Sequence, residues 1–257
     1  MPNILVCVKR VPATGARIVL TEDEQAIYTR YLGFTISPHE ECAVEEAIRQ
    51  IEKHGGQSTV LTLGPEEAAE QLRDALAMGI DEAVLLQTDV DDWGPMVTAE
   101  AIIRAIQSRQ QEKGAFDMLL FGNESADNGG YQVGIRVAHA LDLPCITGIK
   151  GLEIQGNTAV ARREAAGGWE IFEVPLPAVF TVKEGINLPR YPSFKGKMSA
   201  KKKPIAQQNP VWKQDRLQKI RLESPIVETE SAVILGKGPE AAPHVVQMLK
   251  EIGIVVS

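Results

Sequence analysis

The chain has 257 residues, 44% hydrophobic and 24% charged, with a formal net charge of -7. That length supports one large α/β domain with an appendage, or two small domains. The acidic balance argues against nucleic-acid binding, and no apolar run reaches the roughly 18 to 20 residues needed to span a bilayer, so no membrane insertion is expected.

Ile4 to Val8 is an almost continuous apolar run, the pattern of a strand covered on both faces. The N-terminus lacks a signal peptide's basic head and small-residue cleavage site, so a cytoplasmic protein is expected. Residues 13–36 form a long excursion with strand-like patches at Ile18 to Leu20 and Ala26 to Tyr28, and a loop of that length at a strand's C-terminal edge often carries function. Ser37-Pro38-His39-Glu40 reads as a capping box, with Ser37 at the N-cap, Pro38 at N1 and Glu40 reaching back. The helix it opens runs to His54 and stops at Gly55-Gly56.

Ser58 to Leu63 is the next strand, closed by Gly64-Pro65; Glu66 to Met78 is a helix with Gly79 as its C-cap. Glu82 to Leu86 follows as a strand and Met96 to Gln111 as a long helix. Asp117 to Leu141 then gives a buried strand (Met118 to Phe121), a polar turn (Gly122 to Gly130) and an amphipathic helix with Val133, Ile135, Val137, Ala138 and Leu141 as its apolar residues. Free N–H groups and the positive helix end at such a junction suit a phosphate, without any basic side chain. An ordinary strand-to-helix turn is the alternative. Asn123, Glu124, Ser125, Asp127, Asn128 and Gln132 supply more hydrogen-bonding groups than a chain reversal needs, which suits a sugar and a phosphate.

This βα alternation predicts a doubly wound, mostly parallel sheet with helices on both faces and right-handed crossovers. Ile149 to Ile154, Ala159 to Glu164 and Trp169 to Val174 follow as an antiparallel hairpin extension, and Ala178 to Val182 returns to the core. In Glu184 to Ile205, Pro189, Pro192 and Gly196 argue against helix and sheet, while large apolar groups are dispersed along it. The segment either tucks onto its own domain or presents Tyr191 and Phe194 as anchors to a partner. The remainder, with a strand-like Ala232 to Leu235 and a closing helix near Ala241 to Ile252, is too poor in apolar groups for an independent domain and reads as a C-terminal arm. The expected division is an α/β domain over 1–205, including the loop at 184–205, and an arm over 206–257 that wraps either this subunit or another. Gly236 to Ala241 matches a loose GxGxxA, but too little chain follows for a βαβ unit, and Pro239 sits in the turn. The cysteines (Cys7, Cys42, Cys145) and histidines (His39, His54, His139, His244) are scattered without ligand spacing, so neither disulfides nor a metal site is expected.

Gly185-Ile186-Asn187-Leu188-Pro189-Arg190-Tyr191-Pro192-Ser193-Phe194, Lys195 to Met198 and Ala200 to Lys203 carry a family pattern. So do Val8 to Val11, Ala43 to Ala47, Ala75 to Gly79, and Asp127 with Gln132 and Gly134. In order and spacing the chain resembles the beta subunits of electron transfer flavoproteins over essentially its whole length. The resemblance implies a heterodimer whose alpha subunit holds most of the FAD, with this chain forming a wall near the ring. It also implies electron carriage, without turnover of its own, from flavoprotein dehydrogenases such as acyl-CoA dehydrogenases, in fatty acid oxidation, to a quinone oxidoreductase or similar acceptor. AMP is implied at Cys7, at Ser37, Pro38, His39 and Glu40, at Leu63 and Gly64, and at Asn123, Ser125, Asp127, Asn128, Gly129, Gly130, Tyr131, Gln132, Val133 and Gly134. Thr14 and His39 match positions near the flavin. Tyr191, Phe194 and Met198 match the docking loop, with Phe194 where many relatives have leucine.

A subset of the family binds a second FAD in place of AMP and bifurcates electrons. Its loop resembles D-G-D-T-x-Q-V-G, and this chain shares Gln132-Val133-Gly134 but lacks the second acid and the threonine, which favours AMP. Two further functions compete with a carrier: an enzyme acting on an adenylated substrate, for which no acid-base pair stands out, and a nucleotide-sensing module without a redox role.

Overall fold

The computed structural model describes residues 1–13, 15–90, 93–214, 216–225 and 232–254. It divides into two compact units, Met1–Ile220 and Arg221–Ser257.

In the first unit the apolar runs form β1 (Asn3–Cys7), β4 (Gln57–Gly64), β5 (Glu82–Gln87), β6 (Met118–Gly122) and β10 (Ala178–Val182). Two short strands, β2 (Arg10–Pro12) and β3 (Phe34–Ile36), pair antiparallel across the residue 13–33 excursion. The strand-like patches inside that excursion meet in a single bridge between Leu20 and Ile27. Three further strands, β7 (Cys145–Gln155), β8 (Thr158–Ala165) and β9 (Gly168–Pro175), extend one edge, and β11 (Ile205–Gln208) adds the other. The order is β11-β5-β4-β1-β6-β10-β7-β8-β9, parallel from β11 to β7 and antiparallel from β7 to β9.

Alternate strand residues supply two cores. Ile4, Val6, Val60, Leu120 and Phe180 pack under α1 (Pro38–His54) and α2 (Ala69–Met78). Leu5, Cys7, Leu61, Leu119 and Phe121 pack under α3 (Pro95–Lys113) and α4 (Val133–Ala140). This is the expected doubly wound fold with both sheet faces covered. The chain lays β4 and β5 to one side of β1 and then returns to place β6 on the other side. The C-terminal ends of β1 and β6 therefore form the switch point where open α/β sheets bind ligands.

Elements of the large sheet and of the segment after β10 differ from the sequence pattern. β7 begins at Cys145, four residues before the predicted hairpin, and its first part pairs parallel with β10. β11 lies in a segment whose polar run hid its pairing with β5. The 184–205 stretch, expected outside helix and sheet, contains α5 (Phe194–Ala200). Ser193 caps α5 by accepting the Gly196 N–H at 3.0 Å. A Cβ at Gly196 would come within 2.3 Å of the Ala77 carbonyl oxygen, so the glycine lets α5 lie against the end of α2 and tertiary contact overrides poor helix propensity.

The second unit contains a 3₁₀ turn (Gly238–Ala241) and α6 (Ala242–Glu251), neither with a buried residue. Val233, Ile234, Val245, Val246, Met248, Ile252 and Ile254 are exposed. The strand expected at Ala232 to Leu235 is irregular, because an apolar run becomes a strand only beside an edge that accepts its hydrogen bonds. Among the described residues no helix is long and apolar enough to cross a membrane.

The Gly196 contact gives a direct test. Gly196→Ala should lower unfolding stability in urea by about 1 to 3 kcal/mol with an unchanged m-value. An unshifted midpoint would contradict the close approach of α5 to α2.

Candidate functional site

The junction at the switch point is built from the start of α1, the end of β1 and the loop after β6. Ser37 is the buried N-cap of α1 and Pro38 its first residue, as predicted, but the capping box does not form. Ser37 Oγ donates to the Glu124 carbonyl at 3.4 Å. Glu40 turns away from the cap and accepts the Lys9 backbone N–H at 2.7 Å. The reason is positional: Lys9 lies just past the end of β1, and a backbone N–H there needs a partner. Glu40 is buried, and that burial pushes its carboxyl up to about 8 despite the opposing Lys9 N–H and ammonium. A Cβ at Gly122 would meet Glu40 Cγ at 2.5 Å, so the end of β6 must be glycine for α1 to start here.

His39 bridges two segments. Its Nδ1 accepts the Glu184 N–H at 2.7 Å, which leaves the ring proton on Nε2, 3.2 Å from Glu124 Oε1. The same two segments meet again where the Asn123 N–H donates to the Val182 carbonyl at 2.8 Å, and Thr181 Oγ1 donates to Asn123 Oδ1 at 2.8 Å.

Within the loop, Ser125 Oγ donates to Asn128 Oδ1 at 2.7 Å, and the Gly129 N–H to the Ser125 carbonyl at 3.0 Å. The Asp127 carboxylate accepts the Asn128 N–H and pairs with the Lys9 ammonium. Burial works against its ionisation, but Lys9 and the local hydrogen bonds outweigh that and hold the group below its usual range. Gly129 (φ 54) and Tyr131 (φ 56) are left-handed and turn the chain into α4. No side chain caps α4; Gln132 instead uses Oε1 to accept the Arg136 Nε and Nη2 groups at 3.2 and 2.8 Å. Val133 and Gly134 open the helix, and a Cβ at Gly134 would lie 3.1 Å from Phe121 and Thr181.

Direct contacts thus bring Ser37, His39 and Glu40 together with the loop of Asn123, Ser125, Asp127 and Asn128, followed by Gly129, Gly130, Tyr131, Gln132, Val133 and Gly134. Cys7 ends β1 beside them; its thiol is buried, and burial, then Glu40, raises its pKa, so it offers no thiolate. Leu63 and Gly64 end β4, the neighbouring strand. Thr14 lies outside the described residues. Tyr191, Phe194 and Met198 form a separate, exposed group on the segment leading into and along α5. Lys9 and Arg136 join the junction although sequence reading did not single them out as site residues, and Glu124, read there as one of the loop's hydrogen-bonding groups, meets Ser37 and His39. The signal for Lys9 was its place directly after a buried strand, at the edge where ligands bind.

The titratable groups here are paired with each other, Lys9 with Asp127 and His39 with Glu124, rather than converging on one point as an acid-base pair would. The uncapped α4 N-terminus and the hydroxyl and amide groups of the loop suit a phosphate and a sugar. Surface clefts of about 270 and 190 Å³ lie along α3, and neither is lined by residues 123–132. No group of three or more potential metal ligands occurs among the described residues.

A family model described as the electron transfer flavoprotein domain matches residues 26–211. The chain is 41% identical over 205 residues to the electron transfer flavoprotein subunit beta of Bacillus subtilis, covering 79% of this chain and 77% of that protein. It is 40% identical over 206 residues to the protein of that name from Syntrophomonas wolfei, covering 79% and 78%. It is also 32% identical over 208 residues to the caffeyl-CoA reductase-Etf complex subunit CarD of Acetobacterium woodii, covering 79% and 76%.

The buried Glu40 carboxyl sets a pH dependence. Its folded pKa of about 8 lies above the ordinary 4.5, so between those values the folded state holds more protons than the unfolded one and stability falls as pH rises. Glu40→Gln should therefore gain thermal stability relative to the parent as pH is raised from 5 to 8. A difference that stays constant across that range would show that Glu40 is ionised throughout.

Proposed function

This chain belongs to the electron transfer flavoprotein family, among its beta subunits, and from that membership we propose that it pairs with an alpha subunit to carry electrons from flavoprotein dehydrogenases to a downstream acceptor. The observation that carries the nucleotide part of this reading is the meeting of the family's nucleotide-loop positions with the start of α1 at the switch point, around an uncapped α4 N-terminus. AMP is the ligand proposed there. Its phosphate would be held by the N–H groups around Asn128 to Gln132 and the first turn of α4, with Arg136 close behind on the same helix. Ser37, Asn123 and Ser125 supply polar groups for a sugar. The absence from this loop of the second acid and the threonine supports AMP over a second FAD.

FAD, when bound, supplies the electron exchange. This chain's part is to form one wall of its site, where His39 would stand with its ring held between the Glu184 N–H and the Glu124 carboxylate. Acyl-CoA dehydrogenases are the proposed donors, in fatty acid oxidation, and a quinone oxidoreductase the proposed acceptor, in the cytoplasm. Residues 1–205 serve as the nucleotide-binding domain with its recognition loop at 184–205. The 206–257 stretch, once past its β11 residues in this chain's own sheet, serves as an arm on the alpha subunit, a role supported by the exposed apolar residues of α6. Tyr191, Phe194 and Met198 dock the dehydrogenase. Tyr191 is 97% and Phe194 83% exposed, which places large aromatic area in solvent where a partner can bury it.

Two variants test the two halves. A Cβ at Gly130 meets nothing closer than Asn128 Oδ1 at 3.8 Å, so the first carbon of the Gly130→Val side chain has no close protein neighbour. The purified heterodimer carrying it should release no AMP, melt at a lower temperature and still accept electrons; stoichiometric AMP in that variant would move the phosphate elsewhere. Phe194→Ala should keep the flavin spectrum and raise the apparent KM for the dehydrogenase roughly 30-fold, the effect of losing a central aromatic anchor worth about 2 kcal/mol. An unchanged KM would make the segment a structural strap.

A further inference from the structure

The docking segment has a physical problem that its sequence does not solve alone. Leu188, Tyr191 and Phe194 point into solvent, at 83, 97 and 83% exposure, so burial of these side chains cannot fix the backbone that carries them. α5 is seated on α2 at Gly196 and Ile186 packs on the core, and between them what holds the 187–191 backbone is polar. Arg190 is the centre of the contact: its Nε donates to Glu45 Oε2 at 2.8 Å, its Nη2 to Glu45 Oε1 at 3.1 Å and Glu52 Oε2 at 2.9 Å, and its Nη1 to Glu52 Oε1 at 2.6 Å. Its own backbone N–H adds a bond to Glu45 Oε2 at 3.2 Å. Glu45 and Glu52 are seven residues apart on α1, two turns along one face, and the planar guanidinium fits between them with two forks.

The neighbouring contacts complete the attachment. Asn187 Nδ2 donates to the Cys42 carbonyl and to Glu46 Oε2, both at 3.0 Å, and Arg49 Nη2 donates to the Leu188 carbonyl at 3.3 Å. The Glu45 side chain is 2% exposed. Burial opposes its ionisation, but hydrogen bonds from Arg190 and Arg49 outweigh that and keep it below the usual carboxylate range. The charge is therefore present where Arg190 needs it.

We propose that Arg190 is a positioning residue for partner docking: by spanning Glu45 and Glu52 it fixes the 187–191 backbone on α1 and so holds Tyr191 and Phe194 in the conformation that enters the partner. The proposal rests on the reading of this segment as the docking element. Arg190 acts through the anchors and does not itself touch the dehydrogenase. A segment fixed in advance loses less conformational entropy on binding, so the effect belongs in affinity. Lysine keeps the charge but cannot donate in two forks. Arg190→Lys should therefore fail as a replacement, whereas it would succeed if position 190 served only as a surface charge.

The test measures electron transfer from a substrate-reduced acyl-CoA dehydrogenase to the flavin-loaded heterodimer, using Arg190→Lys, Phe194→Ala and the double variant. Arg190→Lys is expected to raise the apparent KM about 5- to 10-fold with kcat and flavin potential unchanged, and the rise should persist at high salt, where a steering charge is screened. Combined with Phe194→Ala, it should add little, because the group it positions is gone. If Phe194→Ala raises KM while Arg190→Lys leaves it unchanged, the positioning role is wrong and the docking reading stands. If the two effects multiply in full, Arg190 acts independently of Phe194, and the proposal is again overturned. If Phe194→Ala itself has no effect, the docking reading fails. Should Arg190→Lys not fold, Glu52→Gln keeps the buried Glu45 contacts and carries the test. It should give a smaller, salt-independent rise in KM, and no rise would overturn the proposal.

Discussion

Helix α1 carries three buried glutamates beside an apolar core, and the rest of the site is arranged around the need to satisfy them. Glu40, Glu45 and Glu46 are all buried on a helix whose other inward residues include Cys42, Ala43, Val44, Ala47 and Ile48. A buried carboxylate without partners is strongly unfavourable. Each of the three has a different answer. Glu40 keeps its proton and takes the Lys9 N–H. Glu45 stays ionised between Arg49 and Arg190. Glu46 accepts from Gln50 at 2.8 Å and Asn187 at 3.0 Å. The first answer ties α1 to the end of β1, and the other two tie it to the segment after β10.

One helix therefore orients both parts of the proposed function. Its first turn meets the loop after β6, and its middle turns hold the backbone that presents Tyr191 and Phe194. His39 joins these two regions in a second way, because its ring contacts Glu124 in the loop and the Glu184 N–H at the base of the docking segment. A beta subunit of this family has to bind and orient rather than transform a substrate. The paired polar groups at the junction fit that role, since the Lys9–Asp127 ion pair and the His39–Glu124 hydrogen bond build a shaped polar surface.

The order of strands and helices was legible in the sequence because apolar runs and turn residues mark them locally. β1, β4, β5, β6 and β10 need only their own composition to be recognised, and Gly55, Gly79 and Gly114 mark helix ends. The elements that were missed depend on distant partners. β11 exists because β5 offers an open edge, the first part of β7 because β10 lies beside it, and α5 because Gly196 fits against Ala77. The site shows the same division. The residues themselves and then the family resemblance picked out the loop and the start of α1, but the capping box was misjudged because Glu40 answers a backbone group just past β1, 31 residues earlier. The roles of Lys9 and Glu124 likewise follow from contacts across 118 and 85 residues, which no local pattern encodes.

The most direct measurement is the nucleotide content of the heterodimer purified with its alpha subunit, released by denaturation and counted by absorbance and mass spectrometry. One FAD and one AMP per heterodimer are expected. Two FAD and no AMP would contradict the adenylate reading and give the loop after β6 a flavin in its place.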